Sequence, residues 1–593
     1  MTHSTQREQD FSPSGWLRQV SELIVCFVIA VMMLRAFVLE GYLISTGSMA
    51  PRLLGFHKHV LCPTCQFQFA FGVTFDESVD ATEMEATTAD GTPKYATCPN
   101  CGQTNISVTD VPTSHGDQLL IQKHVFDFRM PKRWETVVFR NPASPGEAYV
   151  KRIIALPGER IQVVNGDIQI NGSVVAKNFE TQLDMRIPVA DLQYLADSPL
   201  WEMPWEVSDG WTQDGMELVS ATAYDHKPST KSLDDRHSLS DEPHSWIRFR
   251  NWRWSGGLHR VESPLRKEDA RIDWKAFLDR FDGIPVSWAS RVEYDPDREV
   301  LRCQGVMPGE LVKDLTSRAV NDSFKSAVFR LAALSHLAPV TDRYGYNSMV
   351  ASPEIPVNDL MLSCALQWSD DANEVRFWIP LNNETYEVRL NPGQKTANLR
   401  IDGSREILAS STFELDSDPI LDQDQPLRLD ASNFDGMIQV AVQGIPCIIW
   451  QPPAETKPET PNQTPDAIPS SSEQAMQTAI LREQQSRWKL AVDGPGVRLR
   501  ELKMFRDVQY TPGKRRNAVE MPYEVPEGCY FVQGDNSPVS SDSRNWEKPA
   551  VPHRLLLGKP FIVHLPSRPA VLEVGTRQWP IRVPEWSRIR YIH

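Results

Sequence analysis

The hydrophobic pattern of this chain contains one long apolar run and many short alternating ones. Residues 20–39 are almost wholly apolar, with Glu22 near one end and Arg35 near the other. About twenty helical residues span roughly 30 Å, the thickness of a hydrocarbon core. The run therefore predicts a membrane-spanning helix, placed at 16–40, with an N-terminal tail over 1–15. A cleaved signal peptide is the competing interpretation, but the run is too long for one.

Shorter segments alternate between apolar and polar residues, which predicts β-strands and a mainly β protein. The clearest are 374–381, 385–391 and 397–402, which are separated by Gly, Pro, Asn and Asp turn residues. Residues 437–450 and 497–511 have the same character. We therefore expect two or more packed antiparallel sheets, in a sandwich-like or jelly-roll arrangement.

Two other regions have a distinctive composition. Residues 452–472 are rich in proline and polar residues, which predicts a disordered loop, and 473–490 has a helical pattern. Tryptophans between residues 201 and 254 could line a carbohydrate site, although such side chains more often belong to a core.

Size and charge narrow the function classes. At 593 residues the chain should fold as several units. Its formal charge of −15, with no basic stretch, argues against nucleic acid as a partner. We find no P-loop, no GxGxxG and no HExxH motif.

Four of the nine cysteines form two CPxC knuckles, which is a strong signal for a zinc ribbon. All four ligand positions would be sulfur, as in a closed structural site. Two disulfides or a redox-active pair are the alternatives. His57 and His59 are available as substitute ligands, although we expect them at the surface. The four cysteines are Cys62, Cys65, Cys98 and Cys101.

The candidate chemistry combines a serine with a lysine. A serine hydroxyl is a poor nucleophile unless a base takes its proton. None of the 13 histidines lies in a recognisable triad motif, whereas a lysine can act as base when burial among apolar side chains favours its neutral form. Lys151 follows Tyr149 and Val150 in such a segment, and strand alternation puts it on the face opposite Arg152. In isolation, a Lys-Arg pair in a strand is usually surface charge.

The order of the motifs makes the combination specific. Five motifs follow the apolar run: GSMAP (47–51), GDQLLIQK (116–123), PKRWETVVF (131–139), YVKRIIALPGE (149–159) and GDNSPVSSDSR (534–544). In this order the chain resembles the type I signal peptidases, the membrane-bound Ser–Lys endopeptidases, over about a quarter to a third of its length.

This resemblance implies a role for each matching residue. Ser48 matches the family nucleophile, and Lys151 matches the general base. Thr46 matches a hydroxyl of the oxyanion hole, which it shares with the backbone N–H of Ser48. Such a donor is typically worth about 3–4 kcal/mol to the transition state.

The last motif supplies the supporting residues. Ser540 matches a serine that hydrogen-bonds the lysine and orients it. Asp542 and Arg544 match an ion pair that shapes the site, with an exposed salt bridge of little value as the alternative. Asp535 and Asn536 match turn residues that position the loop.

Four positions depart from the family pattern. Arg52 replaces a usual threonine, and 133–135 replaces a turn of the RGD type. Glu159 replaces an aspartate, and 537–539 lacks the usual charged or amide residues. None of these removes a catalytic atom, but they put the fine geometry around Ser540 in doubt.

Together these features predict a mainly β architecture in three kinds of unit. A signal-peptidase-like β catalytic core is assembled from 41–55, 116–176 and 512–593. A small zinc-ribbon-like insert occupies 56–115, and a β-sandwich-like insert occupies 177–511.

The resemblance implies a serine endopeptidase that removes signal peptides from exported preproteins through an acyl-enzyme, with no cofactor for catalysis and a structural zinc. It implies a single-pass protein of the bacterial-type inner membrane with its catalytic domain outside the cytoplasm. Signal peptides, the lipid bilayer and the export machinery are the expected partners. The alternative is a specialised or inactive relative whose insert binds a partner or a glycan.

Overall fold

The structure is a computed structural model in which strand predominates. Strand accounts for 44% of it and helix for 15%, which confirms the prediction of a mainly β protein. Most of the predicted tail, disordered loop and following helix (1–15, 452–472 and 473–490) lies outside the described residues. The structure describes residues 13–73, 95–196, 201–214, 217–221, 245–257, 260–264, 291–295, 297–298, 300–317, 322–347, 355–369, 371–415, 425–453, 485, 487–564, 566–574 and 577–592.

An eight-stranded antiparallel sheet, here called the core sheet, brings distant parts of the chain together. Residues 39–43 at one edge of the sheet are half-buried or exposed to solvent, whereas residues 151–155 in its interior are buried on both faces. In spatial order its strands are β1 (Leu39–Leu43), β7 (Gln118–Lys123), β34 (Leu556–His564), β8 (Thr136–Arg140), β9 (Ala148–Ala155), β32 (Cys529–Gln533) and β33 (Ala550–Pro552), with β37 (Arg590–Tyr591) also paired to β34.

A smaller four-stranded sheet follows the core sheet along the chain. Two Asn-Gly turns, 165–166 and 171–172, connect its first three strands, as the sequence predicts. All four turn residues have positive φ angles, which is the geometry of the tight hairpin turns that Asn-Gly favours. The strands, in spatial order, are β12 (Ser173–Val174), β11 (Asp167–Ile170), β10 (Arg160–Val164) and β31 (Tyr523–Glu524).

Two larger antiparallel sheets face each other across one hydrophobic core. Leu362 from one sheet and Ile379 from the other are fully buried in that core. One sheet contains β15 (Trp211–Asp214), β16 (Glu217–Ser220), β30 (Arg498–Arg506), β21 (Leu360–Gln367), β26 (Leu427–Ser432), β27 (Ile438–Val442) and β28 (Ile445–Trp450), with β13 (Ile187–Asp191) paired to β30. The other contains β14 (Trp205–Val207), β17 (Ser245–Phe249), β29 (Lys489–Asp493), β22 (Glu374–Leu381), β23 (Glu384–Asn391), β24 (Thr396–Ile401) and β25 (Ile407–Thr412).

The strands predicted from alternation are therefore confirmed, since each predicted segment contains a strand of one of these two sheets. The tryptophans between residues 201 and 254 mostly serve packing. Trp205, Trp211 and Trp252 are buried, which favours the core interpretation over a carbohydrate site.

Several small sheets complete the described fold. One three-stranded sheet packs against two helices through Cys303, Leu311 and Val328. The strands of this α4–α5 unit are β18 (Arg260–Pro264), β20 (Val300–Gln304) and β19 (Val292–Asp295), and its helices are α4 (Gly309–Ser317) and α5 (Asp322–Ser335). The others are β3 (Gln68–Gly72), β2 (His57–Leu61) and β6 (Thr113–Ser114); β4 (Tyr95–Ala96) and β5 (Ile106–Ser107); and β35 (Ser567–Val574) and β36 (Arg577–Pro584).

The remaining helices are α1 (Pro13–Phe37), α2 (Val125–Phe128) and α3 (Phe179–Met185). Apolar side chains of α1 such as Leu23, Phe27 and Met32 are exposed. Across the part of the chain that the structure describes, no helix combines the length and the apolar character needed to cross a membrane. The anchor and the unit boundaries stay predictions.

Candidate active site and cysteine cluster

Ser48 lies in the loop between β1 and β2, here called the nucleophile loop (residues 44–56). Met49 and Leu53 of this loop are 1% exposed and pack with Leu119 in one apolar cluster. The backbone N–H of Ile44 donates to the carbonyl of Asp117 at 2.9 Å. Apolar burial and backbone pairing therefore hold the loop against the core sheet, where Ser48 is 4% exposed.

Lys151 reaches Ser48 from the interior of the core sheet. Its Nζ donates to Ser48 Oγ at 2.5 Å, and the lysine is 2% exposed. The neighbouring positions on β9 and β8 include Ile153 and Val137, which are fully buried. The structure therefore brings together the two residues that the sequence paired.

Thr46 also lies beside the serine. Its Oγ1 is 3.5 Å from Ser48 Oγ, at the outer limit of a hydrogen bond, and its side chain is half-buried. Its place in an oxyanion hole stays a prediction.

Asn536 contacts the nucleophile loop more directly than its role as a turn residue predicts. Its backbone N–H donates to the Ser48 carbonyl at 3.0 Å, and its Nδ2 donates to the Gly47 carbonyl at 2.9 Å. Asn536 is fully buried. It therefore binds both peptide groups of Ser48, including the Gly47–Ser48 peptide that carries the Ser48 N–H.

Arg152 points to the face of the core sheet opposite Lys151, as strand alternation predicts. Its guanidinium binds both carboxylate oxygens of Asp535, at 2.8 and 2.7 Å, and donates to the Trp134 carbonyl at 2.6 Å. Burial alone would lower the pKa of Arg152, but the carboxylate of Asp535 raises it above its usual value. Asp535 thus anchors the last motif to the strand that carries Lys151.

Asp542 and Arg544 form a fully buried ion pair. Arg544 Nη2 lies 2.6 Å from Asp542 Oδ2, and both side chains are 0% exposed. The same guanidinium donates to Ser537 Oγ at 2.5 Å, while Asp542 accepts the Gly534 N–H at 3.1 Å. The alternative of an exposed salt bridge is therefore wrong, and the pair braces the loop that carries Asn536.

Ser540 is placed near the site without the hydrogen bond that the resemblance implies. It is 1% exposed, and its Oγ has no hydrogen-bond partner among the described residues. A Cβ added to Gly534 would lie 2.3 Å from this Oγ. Ser540 therefore packs against the backbone of Gly534, and its predicted bond to Lys151 is not formed.

Asp184 on α3 is a supporting residue that the sequence did not reveal. Its carboxylate pairs with Arg152 at 3.1 Å and also with Arg52 of the nucleophile loop. The Asp184 side chain is 5% exposed. Arg52, a departure from the family pattern, thus has a specific ionic partner. No motif surrounds Asp184, so only its position in the fold identifies it.

The four cysteines of the CPxC knuckles converge on one point. Cys62 Sγ lies 3.6 Å from Cys101 Sγ, and Cys65 Sγ lies 3.7 Å from Cys98 Sγ. A tetrahedral zinc with bonds of about 2.3 Å separates its sulfur ligands by about 3.8 Å, whereas disulfide sulfurs lie about 2.05 Å apart. All four are free thiols, at most 2% exposed, and their ligand atoms lie within 4.8 Å of one another. The set could hold a metal ion.

His57 is not at the surface, so that expectation is wrong. It is fully buried, and its Nδ1 lies 2.8 Å from the Gly55 carbonyl. Burial lowers its pKa to about 3, so the ring is neutral near pH 7. Within the described residues, neither His57 nor His59 belongs to the cysteine cluster.

Comparison with known proteins gives a family match over part of the chain. The family model described as signal peptidase, peptidase S26, matches residues 105–212 and 471–565, about a third of the chain. The matched segments contain Lys151 and the last motif, whereas Ser48 lies outside them.

Two curated relatives show the extent of the similarity. A signal peptidase I of Leptolyngbya laminosa is 38% identical over 71 residues, which cover 11% of this chain and 34% of the relative. A signal peptidase I of Rickettsia prowazekii is 30% identical over 118 residues, which cover 20% and 42%. This chain spans about a third of the length of the first curated relatives it matches.

Among solved structures, a Caenorhabditis elegans galectin covers 25% of this chain and 83% of its own, at 9% identity. Its TM-score is 0.16, and so low a score supports no conclusion about this chain.

The ionic bridge through Asp184 gives a testable prediction for stability. Replacing Asp184 by Asn removes the buried carboxylate that Arg52 and Arg152 share, and Arg152 keeps only its pair with Asp535. Breaking a buried pair costs about 3–5 kcal/mol. We expect a lower midpoint of urea unfolding for Asp184→Asn. The matched control is Asp214→Asn, since Asp214 is 65% exposed and its pair with Arg498 should contribute less than about 1 kcal/mol. Equal unfolding midpoints for the two variants would show that the ionic contacts of Asp184 with Arg52 and Arg152 do not stabilise the fold.

Proposed function

We propose that this protein is a signal peptidase of the Ser–Lys type, which cleaves signal peptides from exported preproteins. The observation that carries the proposal is the 2.5 Å hydrogen bond from Lys151 Nζ to Ser48 Oγ in a buried setting. The partial match to the signal peptidase family supports it, because that match contains Lys151.

The reaction follows from this geometry in two halves. Ser48 Oγ attacks the carbonyl carbon of the scissile bond while Lys151 Nζ takes the hydroxyl proton. The proton then passes to the leaving amine, the peptide C–N bond breaks, and the signal peptide remains as an ester on Ser48. Water, deprotonated by Lys151, hydrolyses the ester and regenerates the serine.

The negative charge on the attacked carbonyl oxygen needs donors. The Ser48 N–H and the Thr46 hydroxyl are the donors we propose, in keeping with their adjacency. Asn536 supports the first of these, because its Nδ2 binds the carbonyl of the same peptide group that carries the Ser48 N–H.

Substrate and location extend the proposal. By resemblance, the residues one and three positions before the cut are small, and the substrate is an exported preprotein. We propose that α1 anchors the chain in the cytoplasmic membrane, with the catalytic unit outside the cytoplasm. The exposed apolar side chains of α1 support this placement, as does the short distance in sequence between Phe37 and Ser48. The lipid bilayer and the export machinery are the partners that this placement suggests.

Substitution of the proposed nucleophile is the first test. Ser48→Ala removes the attacking oxygen, so we expect the cleavage rate of a purified preprotein in detergent to fall at least about 10⁴-fold. Ser45→Ala, at an exposed serine of the same loop, should cleave at the wild-type rate. If Ser48→Ala and Ser45→Ala cleave equally well, Ser48 is not the nucleophile.

We also propose that the four cysteines bind one structural zinc ion. The sulfur separations and the burial of all four thiols support a closed tetrahedral site. Asn100 Nδ2 lies 3.7 Å from Cys65 Sγ and donates toward it, an interaction typical of groups that surround a thiolate ligand. When bound, the ion would cross-link the two knuckles and stabilise a region with a small core of its own.

Metal analysis tests the zinc proposal. We expect one zinc per chain in the purified full-length protein, and Cys62→Ser should lose it. Cys303→Ser is the matched control, because Cys303 is also fully buried but lies outside the cluster. Adding a chelator under denaturing conditions should release four additional reactive thiols. If the protein contains no metal and four of its nine cysteines do not react as free thiols, the four cysteines form two disulfides instead.

A further inference from the structure

One stretch of the large region between the core-sheet segments lies directly on the candidate active site. Residues 340–347, here called the docking segment, connect the α4–α5 unit to the two facing sheets. The backbone N–H of Gly72 donates to the carbonyl of Tyr346 at 2.8 Å. This pairing places the docking segment beside β3, and a Cβ added to Gly345 would lie 2.8 Å from Pro99, the residue that follows Cys98.

The ring of Tyr346 fills the space beside the nucleophile. A Cβ added to Gly47 would lie 2.3 Å from Tyr346 Cε1, and one added to Gly72 would lie equally close. Real Cβ atoms do not approach carbon at that distance, so both glycines are required while the ring is in place. Tyr346 is 3% exposed. The residue before Ser48 is thus packed directly against the docking segment.

Two hydrogen-bonded contacts connect the docking segment to the last catalytic motif. Tyr344 donates its hydroxyl to the carbonyl of Asp535 at 2.9 Å. Asn347 and Asn536 form a reciprocal amide pair, in which Asn347 Nδ2 donates to Asn536 Oδ1 at 2.9 Å and Asn536 Nδ2 donates to Asn347 Oδ1 at 2.8 Å.

The reciprocal pair fixes the orientation of the Asn536 amide. Nδ2 of Asn536 has two hydrogens, and the structure assigns one to Gly47 and the other to Asn347. Without the Asn347 partner, the amide could flip and present its oxygen to the Gly47 carbonyl, which would repel it. The peptide that carries the Ser48 N–H would then lose its hydrogen bond to Asn536.

We propose that Asn347 is a positioning residue of the active site, which acts through Asn536 to hold the Ser48 N–H and hydroxyl in the reactive geometry. The inference rests on the proposed function and adds a role for the large insert. Through its docking segment, the insert completes a site whose reacting groups all come from elsewhere in the chain. Asn347 touches no reacting atom, so its effect should appear in turnover rather than in substrate binding.

The test compares full-length variants in the same preprotein cleavage assay. Asn347→Ala removes both amide contacts, and we expect kcat to fall about tenfold with KM changed less than about twofold. Asn347→Asp keeps the acceptor and removes the donor, so its kcat should also fall. Asn398→Ala is the matched control, since Asn398 is also half-buried and its side chain makes no hydrogen bond with any residue that the structure describes. It should keep the wild-type kcat.

Thermal unfolding of each variant separates positioning from folding. We expect the midpoints of Asn347→Asp and wild type to agree, so that the loss of kcat is not a loss of folded protein. Wild-type kcat in both Asn347 variants would overturn the inference, as would a loss explained by a lowered midpoint or an equal loss in Asn398→Ala. Failure of the proposed function has a different signature, because Ser48→Ala would then cleave as well as wild type.

Discussion

The hydrogen bond between Lys151 Nζ and Ser48 Oγ is the interaction on which the arrangement of the site depends. It joins residues 103 positions apart in the chain, and neither residue lies in a segment that could position it alone. The strand that carries Lys151 is fixed by its neighbours in the core sheet. The loop that carries Ser48 is fixed by its apolar anchors and by Asn536.

Burial sets a strict condition on the charged groups around this pair, because an unpaired charge in the interior is costly. Arg152 and Arg544 meet the condition with carboxylates, Asp535 and Asp542. Lys177, another buried lysine, shows the contrast with Lys151. Burial would lower its pKa, but the carboxylates of Asp435 and Asp507 raise it above its ordinary value, so Lys177 is a structural cation. Lys151 Nζ, by contrast, donates to the hydroxyl of Ser48, which is the contact that its proposed role as the base requires.

Local features of the sequence predicted their part of the fold well. Alternation identified β9 and the opposite directions of Lys151 and Arg152, and the Asn-Gly pairs identified the hairpins. The CPxC spacing predicted the convergence of four thiols. For the strand and the hairpins the signal and the structure lie within a few residues, so the physics is local. For the cysteines, the spacing within each knuckle carries the signal, although the two knuckles lie more than 30 residues apart.

Contacts between distant segments could not be predicted in this way. Asp184 and Asn347 belong to no motif, and each has a partner more than 130 residues away, Arg52 for Asp184 and Asn536 for Asn347. The resemblance supplied the ion pair of Asp542 and Arg544, but the bond it implied for Ser540 is not formed, since that side chain packs on Gly534. Such details depend on how the units pack together, which no single stretch of sequence encodes.

The most direct test of the central claim is the cleavage rate of Lys151→Arg. Arginine keeps the positive charge and the capacity to donate, but it does not lose its proton in proteins. With a purified preprotein in detergent, we expect this variant to lose at least about 10³-fold in rate, whereas Lys132→Arg, at an exposed lysine, keeps the wild-type rate. A rate for Lys151→Arg close to wild type would show that Lys151 acts only as a charge and would contradict its role as the base.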